Sequence, residues 1–151
     1  YTYFVKYIVY TDGGARGNPG PAGAGVVICD ASDRPIKKVS KALGVGTNNF
    51  AEYSAVILAV ETLKKMIPKE SRAEAEIIFK LDSELVARQL SGKYQIKEES
   101  LFPLFIKIWN ARVSDFPKMT FNNIPREKNT LADALSNEAM DANSEKQKKL
   151  L

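Results

Sequence analysis

The chain has 151 residues, of which 44% are hydrophobic and 26% charged, and its formal net charge is +4. This length and apolar content predict one globular domain with a single core, and the mildly basic balance favours a polyanionic partner. The sequence contains no histidine, which excludes Ser-His and Cys-His catalysis and imidazole metal ligands. Its one cysteine, Cys29, excludes an intrachain disulfide, and no apolar run is long enough to cross a bilayer. We therefore expect a cytoplasmic protein with no membrane partner.

The first part of the chain predicts three strands joined by short connections. Residues 3–11 are dense in aromatic and β-branched side chains, which is typical of a central strand, and residues 13–20 predict a turn rich in glycine and proline. Residues 24–29 and 36–43 predict two further strands linked by a hairpin connection. Three consecutive strands with short links favour an antiparallel arrangement.

The rest of the chain alternates helices and strands. Apolar residues recur at helical spacing over residues 49–66, which indicates a helix packed against the core. The elements predicted after it are a strand over 75–82, a short helix over 83–92, a helix over 98–113, a strand over 119–124 and a helix over 129–142. This order indicates an α/β domain whose sheet mixes antiparallel and parallel pairing.

Four acidic residues stand out because each falls at the end of a predicted element. They are Asp12, Glu52, Asp82 and Asp133. Each has a structural alternative: Asp12 could begin a turn, Asp82 could cap a helix, and the other two fit capping boxes. Together, however, they form the set of hard oxygen ligands that Mg²⁺ prefers. Such a cluster can hold two ions that activate water and stabilise the leaving oxygen of a phosphodiester.

Four segments of the chain carry a resemblance to a known family. They read "TDGGARGNPGPAGAG", "TNNFAEYSA", "LDSELVARQLSGKYQIK" and "NTLADALSNEA". In this order they resemble the successive motifs of the type 1 ribonuclease H family, and the match covers about residues 5–142. The glycine-rich segment that follows the aspartate is the most specific of the four. The absence of histidine places the chain with the histidine-lacking subgroup of that family.

The resemblance implies a fold, a reaction and a metal site. The fold is a ribonuclease H-like five-stranded mixed sheet, with its first three strands antiparallel, flanked by helices. The reaction is metal-dependent endonucleolytic hydrolysis of the RNA strand of RNA–DNA hybrids, leaving 3′-hydroxyl and 5′-phosphate ends. By position in the motifs, the four acids correspond to the family's catalytic, metal-binding carboxylates. One ion would lie near Asp12 and Asp133, and a second near Asp12, Glu52 and Asp82.

The expected ion is Mg²⁺, with Mn²⁺ as a plausible substitute, and the expected assembly is a monomer. We expect residues 1–142 to form the catalytic domain and residues 143–151 a basic C-terminal tail. The residues just before Glu52 occupy positions where similar enzymes contact a phosphate and the minor groove of the hybrid. These residues are Thr47, Asn48 and Asn49. The alternative is that Thr47 or Asn49 merely caps the helix.

The glycine-rich segment supplies further candidate substrate contacts. Gly14 and Ala15 would contribute backbone contacts, and Arg16 would contribute one side-chain contact. In many members of the family a mobile loop before the last aspartate carries a histidine, and here that loop contains Arg126 instead. Arg126 could contact a phosphate or could be a solvated loop charge.

Four other residues complete the expectations. Lys93 and Lys97 follow the third acid, where some relatives have a basic protrusion, and would form a reduced phosphate-binding surface with weaker affinity for the hybrid. Trp109 could stack on a base, but its helical spacing with apolar neighbours favours a place in the core. Asp141, beyond the fourth acid, is expected to be solvated.

Three alternative functions stay open. The first is a hybrid-binding module without catalysis, against which the presence of all four acids counts. The second is a metal nuclease of another class, such as a transposase-like domain or a junction resolvase, against which "DGGARGNPG" and "TNNFAE" count. The third is the ribonuclease domain of a larger polypeptide such as a reverse transcriptase. The absence of an initial Met permits it, whereas the compact chain with its own tail favours a free-standing enzyme.

Overall fold

The computed structural model of the protein describes residues 5–150, so residues 3 and 4 of the predicted first strand lie outside the described part. Its strands are β1 (Lys6–Ala15), β2 (Gly20–Cys29), β3 (Pro35–Gly46), β4 (Glu76–Leu81) and β5 (Met119–Asn123). Its α-helices are α1 (Asn48–Met66), α2 (Glu84–Leu90), α3 (Phe102–Ser114) and α4 (Thr130–Leu150). Three short 3-10 turns lie at Lys69–Ser71, Glu99–Leu101 and Arg126–Lys128.

The strands form one mixed sheet in the order β3-β2-β1-β4-β5. The pairs β1–β2 and β2–β3 are antiparallel, whereas β1–β4 and β4–β5 are parallel. The predicted five-stranded mixed sheet with three antiparallel strands first is therefore confirmed. The parallel β1–β4 pairing runs both strands toward the same edge of the sheet, where Asp12 of β1 and Asp82, directly after β4, come together.

Helices cover both faces of the sheet because successive strand residues point to opposite sides. Val9 and Ile28 contribute to the larger core, which includes buried residues of α1, α2 and α3. The neighbouring Ile8 and Val27 instead pack with Ala132 of α4 in a smaller cluster. No helix within residues 5–150 has the length and hydropathy needed to span a bilayer.

Glycines allow helices to approach the strands on both faces. A Cβ added at Gly13 of β1 would collide with the backbone of Ala51 in α1. A Cβ added at Gly25 of β2 would collide with the carbonyl oxygen of Ala132 in α4. These positions accept no side chain without displacement of a helix, so the glycines fix the separation between the sheet and the two helices that carry Glu52 and Asp133.

The first strand is longer than the sequence pattern predicted. Residues 13–15 continue β1 beyond Asp12 and pair with β2, so the predicted turn over 13–20 contracts to residues 16–19. Glycines have low strand propensity in isolation, but here the ladder with β2 and the two close helices hold them extended. The parallel pairing with β4 ends at Tyr10, opposite Lys80. Asp12 therefore lies inside a strand, yet just beyond the point where β1 and β4 separate.

The predicted place of Trp109 in the core is wrong. Trp109 is not in the core: it is 51% exposed and stacks on Phe105, while the buried residues of α3 are Ile108 and Ala111. Helical spacing indicates which residues share a face, but not which face another element covers.

At the carboxyl end, α4 continues through the predicted tail, and buried Asn143 donates from Nδ2 to the carbonyl oxygens of Ala22 and Gly44. The boundary at residue 142 stays a prediction.

Candidate active site

The four predicted acids line one cavity of about 510 Å³ where β1, β4, α1 and α4 meet. Asp12 comes from β1, Asp82 follows β4, Glu52 lies in α1 and Asp133 lies in the first turn of α4. Residues more than a hundred positions apart in sequence thus share one opening. The sheet topology explains the arrangement, because the parallel β1–β4 pair places two of the acids side by side and the two helices bring the others from opposite faces.

Three of the acids are in near contact. Asp12, Glu52 and Asp82 each present a carboxylate oxygen, and these oxygens all lie within 4.8 Å of one another. Asp12 is only 7% exposed, and the other two are half-buried. Asp133 lines the same cavity but lies outside this close group. The oxygens of Asp12, Glu52 and Asp82 are therefore mutually close, while Asp133 on α4 adds its charge to the surroundings of Asp12.

The electrostatics of the cluster are unfavourable without a cation. Burial raises the pKa of Asp12 to about 8, and the negative charges of Asp82 and Asp133 contribute to the rise. Burial also raises the pKa of Glu52 well above its ordinary value, with Asp12 and Asp82 adding to the effect. Within residues 5–150 no lysine or arginine forms an ion pair with any of the four acids. Like charges are thus held together with no cation of the protein to offset them.

The donor set fits a divalent metal ion. Oε2 of Glu52 is buried and has no hydrogen-bond partner among the described residues. Leaving a buried carboxylate oxygen unpaired is costly, so an oxygen of this kind requires a ligand outside the chain. Three carboxylate oxygens are the hard ligands that Mg²⁺ and Mn²⁺ bind. The residues present therefore fit a divalent metal ion, on grounds independent of the motifs.

The helix caps explain why these acids are free to face the cavity. Thr47 caps α1, because its Oγ1 accepts a hydrogen bond from the N–H of Phe50 at 3.1 Å. The alternative in which Asn49 and Glu52 form a capping box is therefore wrong. Ser83 caps α2 in the same way, since its Oγ accepts from the N–H of Val86. Neither Glu52 nor Asp82 is needed as a cap, and both carboxylates remain available to the cavity.

The predicted substrate residues fall in three places. Gly14, Ala15, Arg16, Asn48 and Arg126 line the cavity that contains the acids. Asn49 faces a neighbouring cleft of about 480 Å³, which it shares with Lys93, Tyr94 and Lys97. Thr47 lines neither opening and caps the helix.

Two hydrogen bonds connect the glycine-rich segment to the start of α1. Oδ1 of Asn48 accepts from the N–H of Ala15 at 2.9 Å, and the N–H of Asn48 donates to Oδ1 of Asn18 at 3.0 Å. The N–H of Ala15 is thus engaged inside the protein. The side chain of Asn48 is fixed against β1 at the cavity wall.

Sequence reasoning missed the contribution of α4 beyond Asp133. Asn137 and Met140 line the cavity, and Asp141, expected to be merely solvated, forms an ion pair with Arg16 at 2.7 Å. The spacing of these residues could have indicated their place, because Asn137 and Asp141 follow Asp133 at intervals of four residues and share its helix face. Spacing alone could not show that Arg16, some 120 positions earlier, lies opposite that face.

Comparisons with known proteins agree with this geometry. The Reverse transcriptase-like family model matches residues 10–139. The structure of LC11-RNase H1, isolated from compost by a metagenomic approach, superposes with a TM-score of 0.85 at 47% identity and covers 91% of this chain and 96% of its own. The chain belongs to the type 1 ribonuclease H family. A second LC11-RNase H1 structure, in complex with an RNA/DNA hybrid, superposes with a TM-score of 0.86 at 46% identity, covering 90% of this chain and 97% of its own.

Two curated relatives of this ribonuclease H-type chain are longer than it. The bifunctional protein Rv2228c of Mycobacterium tuberculosis is 39% identical over 139 residues, which are 91% of this chain and 36% of the relative. Ribonuclease HI of Halobacterium salinarum is 33% identical over 132 residues, which are 87% of this chain and 63% of the relative. The chain therefore spans about a third of the mycobacterial relative and under two thirds of the archaeal one.

Proposed function

We propose that the chain is a metal-dependent endoribonuclease that hydrolyses the RNA strand of RNA–DNA hybrids, leaving 3′-hydroxyl and 5′-phosphate ends. The observation that carries the proposal is the group of three carboxylate oxygens within 4.8 Å of one another, together with the Oε2 of Glu52, which is buried without a hydrogen-bond partner among the described residues. A chain without histidine has no imidazole base, so metal-assisted hydrolysis is the chemistry that this site suits best.

The proposed catalytic residues are the four acids of the cavity. Asp12, Glu52 and Asp82 would hold one divalent ion, and Asp133 together with Asp12 would hold a second. When bound, the ions would supply activation of water and stabilisation of charge on the leaving 3′ oxygen. The chain's own task is to fix the carboxylates: the β1–β2 ladder holds Asp12, the Thr47 cap sets the start of the helix that carries Glu52, and α4 presents Asp133.

The proposed substrate path joins the catalytic cavity to the neighbouring cleft. Asn48 and Arg126 would contact the RNA strand in the cavity, where Gly14 and Ala15 leave room for a backbone to approach. Asn49, at the start of α1, faces the cleft with Lys93 and Lys97, which would bind phosphates of the second strand. Support comes from the similar LC11-RNase H1, whose structure contains an RNA/DNA hybrid.

The choice of Mg²⁺, with Mn²⁺ as a substitute, follows from the all-carboxylate ligand set. We further propose that the catalytic unit is a monomer, because the four acids and the cavity walls all come from one chain. The single cysteine, Cys29, is buried as a free thiol and is compatible with a reducing, cytoplasmic setting.

The test is cleavage of an end-labelled RNA strand in an RNA–DNA hybrid, with Mg²⁺ or with EDTA. Duplex DNA and double-stranded RNA are run beside it to exclude nucleases of other classes. We expect cleavage of the hybrid alone, dependent on the metal, and loss of cleavage in Asp12→Asn with hybrid binding retained. Full activity of Asp12→Asn would contradict the proposed mechanism. A folded wild-type protein that binds hybrid but does not cut it with Mg²⁺ or Mn²⁺ would favour the binding-module alternative.

A further inference from the structure

One face of α4 leads from the catalytic cavity to the turn between β1 and β2. Asp133, Asn137 and Asp141 follow one another at intervals of four residues and therefore lie along one side of the helix. Asp133 and Asn137 both line the cavity. Asp141, one turn further on, lies next to Arg16 at the start of the β1–β2 turn.

Two side chains of this face hold the guanidinium of Arg16. Nη2 of Arg16 donates to Oδ1 of Asp141 at 2.7 Å and to Oδ1 of Asn137 at 3.0 Å. Asn137 is itself oriented, because its Nδ2 donates to the carbonyl oxygen of Asp133 at 2.9 Å. The backbone of Arg16 is also fixed, since its N–H donates to the carbonyl oxygen of Pro21 at 2.9 Å. Both ends of this residue are thus tied to neighbouring elements.

The remaining donors of Arg16 are unused inside the protein. A guanidinium carries five N–H donors, and both side-chain contacts of Arg16 use the same nitrogen. No other side-chain hydrogen bond of Arg16 is formed within residues 5–150. The Arg16 side chain is 45% exposed and lines the rim of the cavity that contains the four acids. The geometry leaves Nε and Nη1 for a ligand outside the chain.

We propose that Asn137 and Asp141 are positioning residues that hold Arg16 at the rim of the cavity, where its free donors bind a backbone phosphate of the strand being cut. The inference rests on the proposed function and adds two residues to its substrate-binding surface. A free arginine side chain loses conformational entropy when it engages a phosphate. An arginine already fixed by two acceptors loses less conformational entropy. The contacts of Asn137 and Asp141 with Arg16 therefore tighten binding without adding a contact to the hybrid.

Two effects of Asp141 oppose each other, and this makes the proposal testable. Its negative charge lowers the local attraction for a polyanion, whereas its contact orients Arg16. The Asp141 side chain is 71% exposed, so solvent screens its charge and the ion pair contributes little to folding stability. We therefore expect the orienting effect to exceed the electrostatic one.

The experiment is a double-mutant cycle on Arg16→Ala and Asp141→Ala, with KM and kcat measured for hybrid cleavage and Kd measured by fluorescence anisotropy in EDTA. We expect Asp141→Ala to raise KM and Kd about threefold to tenfold, which corresponds to about 0.7 to 1.4 kcal/mol, with kcat changed less than about twofold. Asn137→Ala should act in the same direction. Asp141→Asn, which keeps an acceptor oxygen, should have a smaller effect. In the Arg16→Ala background Asp141→Ala should no longer raise KM or Kd, and the loss of its negative charge should leave both unchanged or slightly lower.

The matched control is Glu61→Ala, which removes an exposed acid from its ion pair with Lys107 on a surface away from the cavity. It should leave KM, kcat and Kd unchanged. A KM and Kd that fall or stay constant in Asp141→Ala would overturn the proposal, as would effects of Arg16→Ala and Asp141→Ala that simply add. Failure of the proposed function would give another result, because the wild-type protein would not cut the hybrid. The Kd values of the double-mutant cycle, measured by anisotropy in EDTA, would still decide whether Asp141 acts through Arg16.

Discussion

Asp115 and the acids of the catalytic cavity have opposite electrostatic surroundings. Asp115, directly after α3, is 14% exposed in its side chain and contacts Arg72 Nη1 at 2.9 Å and Lys64 Nζ at 3.4 Å. Burial acts to raise the pKa of Asp115, but the hydrogen bond from Arg72 and the charge of Lys64 outweigh it and lower the pKa overall. Asp12 and Glu52 are more deeply buried than Asp115, have no cationic partner among the described residues, and their pKa values are raised.

Asp115 stabilises the fold through its cationic partners. The acids of the cavity repel one another, and the fold keeps them close despite this repulsion. Arg72 also donates to the carbonyl oxygens of Ile67 and Lys64, so Asp115 completes a network that joins α1, the turn after it and α3. The acids of the cavity form no ion pair with a lysine or arginine of residues 5–150. A ligand that supplies positive charge would offset the repulsion between these acids, and variants of Asp115 and of the cavity acids test the comparison.

The largest effect should come from removing one charge of the cluster. Glu52→Gln keeps the size of the side chain but replaces a ligand oxygen with an amide nitrogen or a neutral oxygen. We expect the rate of hybrid cleavage to fall by about three orders of magnitude, equivalent to about 4 kcal/mol of transition-state stabilisation. Asp115→Asn, measured in the same assay, should retain cleavage. A Glu52→Gln variant with nearly full activity would show that the cluster is not the catalytic site.

Metal binding should stabilise the protein through the cluster and not through Asp115. At a Mg²⁺ concentration about a hundred times Kd, linkage predicts a gain of about 2.7 kcal/mol in the free energy of unfolding. The gain, measured by denaturant titration with Mg²⁺ and with EDTA, should largely disappear in Asp82→Asn. Asp115→Asn should keep the full gain even though its baseline stability is lower. Equal gains in wild type and Asp82→Asn would place the metal elsewhere.

Loss of the paired acid should destabilise the fold. Asp115→Ala leaves the partly buried guanidinium of Arg72 without its carboxylate, and we expect a loss of about 2 kcal/mol in the free energy of unfolding. The lowered pKa sets the pH dependence of this contribution. It is complete above the pKa of an unfolded aspartate and is lost as pH falls through the lower folded-state value. The difference between wild type and variant should therefore shrink in acid, and a difference that grows in acid would contradict the assignment.

The smallest effect, counted per pH unit, is the pH dependence of the folding stability of the metal-free protein. The pKa of Asp12 is about 8 in the folded chain and near 4 when unfolded, so between these values the folded state binds more protons. Stability in EDTA should therefore fall as pH rises from about 5 to 8, by at most about 1.4 kcal/mol per pH unit for one proton. Asp12→Asn should show a shallower fall. A wild-type profile that rises over this range would show that the cluster is not strained.

Much of this protein could be predicted from its sequence because the signals are local. Hydrophobic periodicity located α1 and the buried strands, and the motifs identified Asp12, Glu52, Asp82 and Asp133 together. The sequence pattern wrongly predicted a turn at the glycines after Asp12, because pairing with β2 and the contacts of α1 and α4 decide the conformation there. It also failed at Trp109, because a periodic stripe does not reveal which helix face receives a neighbour.

The sequence by itself determined the order of elements and the chemistry of the acids, since strand propensity, helical spacing and side-chain type are properties of short segments. Only the tertiary structure decided which acids touch, which of them lack a cation, and that Arg16 lies against Asn137 and Asp141. Those facts depend on the register of β1 against β4 and on the path of α4 across the sheet. Both arise from packing between segments far apart in the chain, where no local pattern carries the information.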